Sequence, residues 1–135
     1  MGICLRNKSY GIDMGYGSFY QLRCVIAKQL NKNFGENYAN LARCYSKADF
    51  AKNDEIANYW IEKFSLDKDI IDFLYQPDCK GKISPKTCRK IYLLVKDYDD
   101  DYTYGYNIPD NNNTFAYFKK ILQNCYNKNR TLRWS

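Results

Sequence analysis

The fourteen residues from Tyr75 to Cys88, Tyr-Gln-Pro-Asp-Cys-Lys-Gly-Lys-Ile-Ser-Pro-Lys-Thr-Cys, constrain this chain more than any other stretch. Pro77 cannot continue a helix, because its ring removes an amide donor and crowds the preceding turn. Gly81 supplies a turn, and Lys82-Ile83 a short extended step. Ser84 followed by Pro85 is a helix start: the hydroxyl caps free amides and proline fills the first helical position. A helix must therefore end, the chain reverse, and a second helix begin, all within these fourteen residues. Any fold for this sequence is built around that reversal.

Helical spacing dominates on either side. Ser18 is expected to cap a helix running to Asn31 with Phe19, Leu22, Val25, Ile26 and Leu30 inward, after a loop over Gly11–Gly17. Gly35 is expected to end that unit, with a second helical segment from Glu36 to Tyr45 carrying Tyr38, Leu41 and Ala42. A third helix is expected over Asp54–Phe64, with Ile56, Tyr59, Trp60 and the Lys63 stem on one side. Ser65 then caps a fourth that buries Leu66, Ile70, Phe73 and Leu74. The fifth runs from Pro85 to about Lys96 with Cys88, Ile91, Tyr92 and Val95 inside. Asp97–Asn113 is a long polar loop, and Thr114 caps a last helix burying Phe115, Phe118, Ile121, Leu122 and Cys125. Ile3-Cys4-Leu5 and Thr131–Trp134 read as short strands that can pair with each other. The expectation is a mainly α, compact single domain over residues 1–135, with five to six helices and a small β pairing of the terminal segments. At 135 residues the chain can bury a core without staples.

Composition narrows the function classes. No apolar run is long enough to cross a bilayer, and no signal-peptide pattern opens the chain, so a soluble cytoplasmic protein with no membrane partner is expected. Six cysteines in that setting read as thiols, without a Cys-x-x-Cys pair. The absence of histidine removes the usual base near neutral pH, and no phosphate-binding glycine loop is present; an enzyme is not expected. No cofactor is expected, and a structural zinc is the alternative to buried thiols. The tentative metal residues are Asp78, Cys79 and Cys88, with a metal-dependent enzyme as a further alternative. Against a calcium-type loop at Asp78–Ser84, Lys80 sits where a second carboxylate belongs. Asp78 is expected to accept backbone amides, and Cys79 to approach Cys88 across the turn. Asp97, Asp99, Asp100 and Asp101 read as a solvated acidic loop.

The net charge of +6, from 21 basic and 15 acidic residues, permits a polyanionic partner. Lys119, Lys120, Lys128, Arg130 and Arg133 collect near the C-terminus, with Tyr117, Tyr126 and Trp134 interleaved. Cations hold phosphates and aromatic faces stack bases, so this patch suits nucleic acid. A codon-biased, low-GC genome would also enrich Lys, Asn, Ile and Tyr. Arg23, beside the apolar face of the first helix, is expected to pair with a carboxylate such as Asp78 or to reach over an aromatic ring; a ligand-binding role is the alternative.

Met1-Gly2-Ile3, then Gly15-Tyr16-Gly17-Ser18-Phe19 leading to Arg23, then Asp78–Pro85 with Cys88, resembles a family of small uncharacterised bacterial and phage proteins. Those proteins have a Met-Gly-Leu-Asp-like strand, a Gly-Ser-Tyr…Arg helix start and a central His-Ser-Asp-Cys-Asp-Gly turn. Here Gln76-Pro77 replaces His-Ser and Lys80 replaces the second Asp, which sets this turn apart from any metal-binding version. The family carries no assigned activity. Its mobile-element character implies a stoichiometric protein-binding module, for example an inhibitor of a host defence system such as a CRISPR nuclease. The expected partner is therefore a protein, with nucleic acid or nucleotide as the alternative. The candidate binding residues are Arg23, Asp78, Lys119, Lys120, Tyr126, Arg130 and Arg133.

Overall fold

A computed structural model describes residues 2–41, 47–103 and 114–135. The fold is mainly α. The described elements, in chain order, are β1 (Gly2–Arg6), β2 (Gly11–Gly15), α1 (Tyr16–Leu30), α2 (Lys32–Leu41) and α3 (Lys47–Phe64). They continue as α4 (Lys68–Tyr75), β3 (Gly81–Ile83), α5 (Pro85–Val95), α6 (Phe115–Asn127) and β4 (Leu132–Trp134). The strands form one antiparallel sheet in the order β2-β1-β4-β3. The terminal strands do pair, through Leu5 opposite Trp134 and Arg6 opposite Arg133.

Strand residues alternate between the two faces of this sheet, as a pleated backbone requires. Ile3, Leu5, Ile12, Met14, Ile83, Leu132 and Trp134 are buried beneath the helices. Gly2, Arg6, Gly11, Asp13, Lys82 and Arg133 are exposed on the opposite face. The core centre is Trp134, whose ring lies 5.4 Å from Phe19 and 5.5 Å from Phe73.

The reversal at residues 75–88 follows the sequence closely. Ser84 caps α5 by accepting from the Thr87 amide, with Pro85 at the helix start. Thr114 caps α6 in the same way through the Tyr117 amide. The turn is closed by Gln76, not by Asp78. The Gln76 side chain accepts from the Lys82 amide at 3.0 Å and donates to the Lys82 carbonyl at 2.9 Å, so it pairs with the outer edge of β3 as a strand would. Trp134 Nε1 donates to the Pro77 carbonyl at 3.0 Å. Gly81 sits against that indole, where a Cβ would come within 2.1 Å of the ring.

Several expected boundaries moved. Gly11–Gly15 is a strand, because Ile12 and Met14 bury on one face and the alternation outweighs its two glycines. Helix α1 starts at Tyr16 with Gly15 at its cap, so Ser18 lies inside the first turn. Gly35 lies within α2 and ends nothing; it is the point where α2 crosses α1 over Lys28. Helix α3 begins at Lys47, seven residues before the expected Asp54. Tyr59 is half exposed, and Ala57 and Trp60 form the buried side. Asp67, not Ser65, caps α4, accepting from the amides of Asp69 and Ile70. Ser65 has φ 53° and carries the chain between the two helices. Tyr92 and Leu66 are only partly buried, as are Val25 and Leu30. Ala42 and Tyr45, like residues 104–113 of the long loop, lie outside the described residues, and the side chain of Leu41 is likewise not described.

Candidate functional site

Two turns lie side by side at one end of the sheet. The first, Asn7–Tyr10, joins β1 to β2. Asn7 organises it by accepting from the amides of Ser9 and Tyr10 at 2.8 and 2.9 Å. The second joins α6 to β4. There Asn129 takes the left-handed conformation (φ 54°) just past the helix, and the Arg130 amide reaches back to the Cys125 carbonyl at 2.8 Å. That pairing closes the helix end as a Schellman motif, with asparagine in the position usually held by glycine.

The turns are bolted together by side chains more than a hundred residues apart in sequence. Asn7 Nδ2 donates to Asn124 Oδ1 at 2.9 Å and to Cys125 Sγ at 3.3 Å. Arg130 donates to Ser9 Oγ and to Asn124 Oδ1. Between the turns lies a cleft of about 570 Å3, lined by Arg6, Asn7, Lys8, Lys128, Asn129, Arg130, Thr131 and Arg133. Five of these eight side chains are basic and none is acidic. No aromatic or aliphatic side chain lines it.

The cleft continues onto the uncovered face of the sheet. Arg133 stands directly opposite Arg6 on β1 and opposite Lys82 on β3, so one row across three strands is wholly cationic. Strands lie about 4.8 Å apart, which places the three Cα atoms within roughly 10 Å. Like charges directly opposite destabilise a sheet by a few tenths to about 1 kcal/mol per pair. The row therefore works against folding stability, and an anion bound over it would relieve the repulsion.

The remaining candidate residues divide clearly. Lys119 is buried and faces the opposite end of the helix pair: its Nζ donates to the carbonyls of Lys96 and Tyr98 and to Asp100 Oδ1. It binds the C-terminal carbonyls of α5 and is no part of a surface patch. Lys120 is exposed on α6 but outside the cleft, eight residues and about 12 Å of helix from Lys128. Tyr126 is half-buried against Tyr92, Tyr117 meets Tyr10 edge to face, and Trp134 is core. None of the interleaved aromatics expected for base stacking lines the cleft. Arg6 and Lys8 complete the site. Sequence reading missed them because they lie at the other terminus, and only their place beside the strand expected to pair with β4 hinted at them.

Arg23 is buried with its guanidinium 4.2 Å from the Phe19 ring centroid and donates to the Gln76 carbonyl at 2.7 Å and weakly to Leu74 at 3.5 Å. Burial lowers its pKa, partly offset by Tyr38 and by the more distant Asp78. It closes the end of α4 by stacking and hydrogen bonding, which satisfies the aromatic alternative and not the carboxylate pairing. Asp78 is exposed and accepts no hydrogen bond among the described residues.

The tentative metal residues are not gathered. Asp78 and Cys79 are exposed on the turn, while Cys88 is fully buried. Cys88 is paired with Cys125 across α5 and α6, and the hydrogen bond between the two thiols, with burial, raises its pKa. Among the described residues no group of three or more Cys, Asp or Glu side chains is placed to hold a metal ion. Of the acidic loop, Asp100 pairs with Lys119 and Asp99 accepts from the Asp101 amide. No described helix is long and apolar enough to cross a membrane. Comparison with family models, with curated proteins and with solved structures returns no match.

Proposed function

We propose that this protein is a binding module that holds a nucleic acid by its phosphates, on the cleft between the two turns and the adjoining sheet face. The observation that supports this most is the register row Arg6–Arg133–Lys82 beside a cleft with five cations and no acid. Phosphate oxygens are met by Arg and Lys, with Asn and Thr as neutral donors, and the lining has that composition. The frame of Asn7, Ser9, Asn124 and Arg130 holds the turns in place before any ligand arrives. A preorganised frame lowers the ordering cost of binding.

The test is fluorescence anisotropy of labelled 20-nucleotide single strands and 20-base-pair duplexes, at 50 and 200 mM salt. Arg133→Glu combined with Lys128→Glu should reduce affinity at least tenfold, whereas Lys120→Glu, the same type of charge change off the cleft, should change it by less than threefold. No binding at 50 mM salt to either probe, or equal losses for both variants, would overturn the assignment.

A second reading retains the protein partner expected from the family resemblance, a stoichiometric inhibitor of host-defence type. One observation favours it: Tyr59 and Phe64 on α3 are 50% and 40% exposed, with the Lys63 ammonium over both rings. Aromatic side chains beside a cation suit the centre of a protein interface. A protein captured in high salt, indifferent to Arg133→Glu and lost on Tyr59→Ala with Phe64→Ala, would move the function to that surface.

A further inference from the structure

The cleft's chemistry also distinguishes which form of nucleic acid it suits, and this step rests on the reading above. Proteins that hold single strands combine cations with aromatic platforms on which exposed bases stack. Here the lining is Arg, Lys, Asn and Thr alone, and the sheet face beside it presents Gly2, Cys4, Arg6, Gly11, Asp13, Lys82 and Arg133, again with no aromatic. An unstacked base would find no ring to lie on. A duplex keeps its bases stacked internally and offers phosphates at the higher linear density of the two forms.

Two of the lining side chains that could read base edges are engaged within the protein. Asn7 has both ends of its amide occupied: its oxygen by the amides of Ser9 and Tyr10, its nitrogen by Asn124 and Cys125, whereas the exposed Asn129 keeps its amide free among the described residues. Arg130, the shape that reads guanine, is turned onto Ser9 and Asn124. Arg6 makes one weak contact at 3.4 Å with the Cys4 carbonyl. The side chains of Lys8, Lys82, Lys128 and Arg133 donate to no protein group among the described residues. The groups left for a ligand are mostly point charges that meet phosphates.

We infer that the protein binds double-stranded nucleic acid in preference to single strands, through its backbone phosphates. Five cations are available for this: Arg6, Lys8, Lys82, Lys128 and Arg133. With about 0.9 counterions released per neutralised phosphate of a B-form duplex, the slope of log K against log salt should lie at roughly −3 to −5. Affinity should then fall by about two to three orders of magnitude between 50 and 200 mM salt. Replacing one contributor, as in Arg133→Ala, should flatten the slope by about 1.

The experiment compares a 20-base-pair DNA duplex with each of its single strands, in two unrelated sequences, across that salt range. The expected result is at least tenfold tighter binding to both duplexes than to any strand, and the stated slope. Equal or tighter binding to single strands would overturn this inference and leave the phosphate-binding reading standing. Binding to neither form would remove both.

Discussion

Lys119 and Arg133 belong to one basic cluster in the sequence, yet replacing them should have opposite consequences. Lys119→Met keeps the aliphatic stem in its buried slot and deletes the ammonium. Three acceptors lose their partner: the carbonyls of Lys96 and Tyr98, and Asp100 Oδ1 at 2.7 Å. The Asp100 side chain is 64% exposed, so that ion pair is screened and its loss contributes little. The two carbonyl bonds carry the effect, since a hydrogen bond from a charged donor is worth about 1.5–3 kcal/mol. Against their sum stands the relief of no longer desolvating an ammonium, and partial rehydration of carbonyls near the surface. The net loss should be about 2–3 kcal/mol, which for a chain of this length lowers Tm by roughly 10 °C. Urea titration with matched m-values measures it. Duplex affinity below the transition should stay within about threefold of the parent. Arg133→Ala should show the reverse, with stability within about 0.5 kcal/mol or slightly improved, because relieving the cationic row offsets the lost side chain. A stability loss below about 0.5 kcal/mol for Lys119→Met, or a loss of binding matching that at Arg133, would refute the division between the two residues.

Gly35→Ala should destabilise, although glycine to alanine inside a helix ordinarily gains about 0.5–1 kcal/mol. A Cβ there would lie 2.6 Å from Lys28 Cα and 2.8 Å from its nitrogen, so the crossing helices must separate at a cost of about 1–3 kcal/mol; a rise in Tm would contradict this. Tyr38 is buried with its hydroxyl donating to the Leu74 carbonyl at 2.9 Å, and burial raises its pKa above the ordinary phenol value. The folded state keeps a proton that the unfolded chain releases, so its contribution is intact below pH of about 10 and falls by about 1.4 kcal/mol per pH unit above it. Alkaline denaturation of Tyr38→Phe should show a correspondingly shallower decline, and an unchanged slope would exclude Tyr38 as the source.

Local signals carried much of the architecture. Ser84-Pro85 and Thr114 started their helices where the chain placed them, because a cap is a contract between residues three apart and needs no distant partner. The inward faces of α5 and α6 followed from helical spacing for the same reason. Caps failed where two candidates stood close together: Ser65 and Asp67 can each accept helix amides, and the direction in which α4 had to leave α3 selected Asp67. Gly35 misled because glycine marks both helix ends and close helix crossings, and only the presence of α1 separates the two.

The site needed more than periodicity. Sequence alone put the cations near the C-terminus and suggested that the terminal strands meet. Spacing along a chain tells which face a side chain occupies, but not what stands opposite that face. Lys119 sits one residue from Lys120 on α6; the carbonyls ending α5 drew the first inward and left the second in water. The pairing register of β1, β4 and β3 set Arg6, Arg133 and Lys82 in one row, and the same register brought Lys8 beside Lys128. Local chemistry thus determined the elements. Long-range pairing, whose energy no local window contains, decided which charges became structure and which stayed in water.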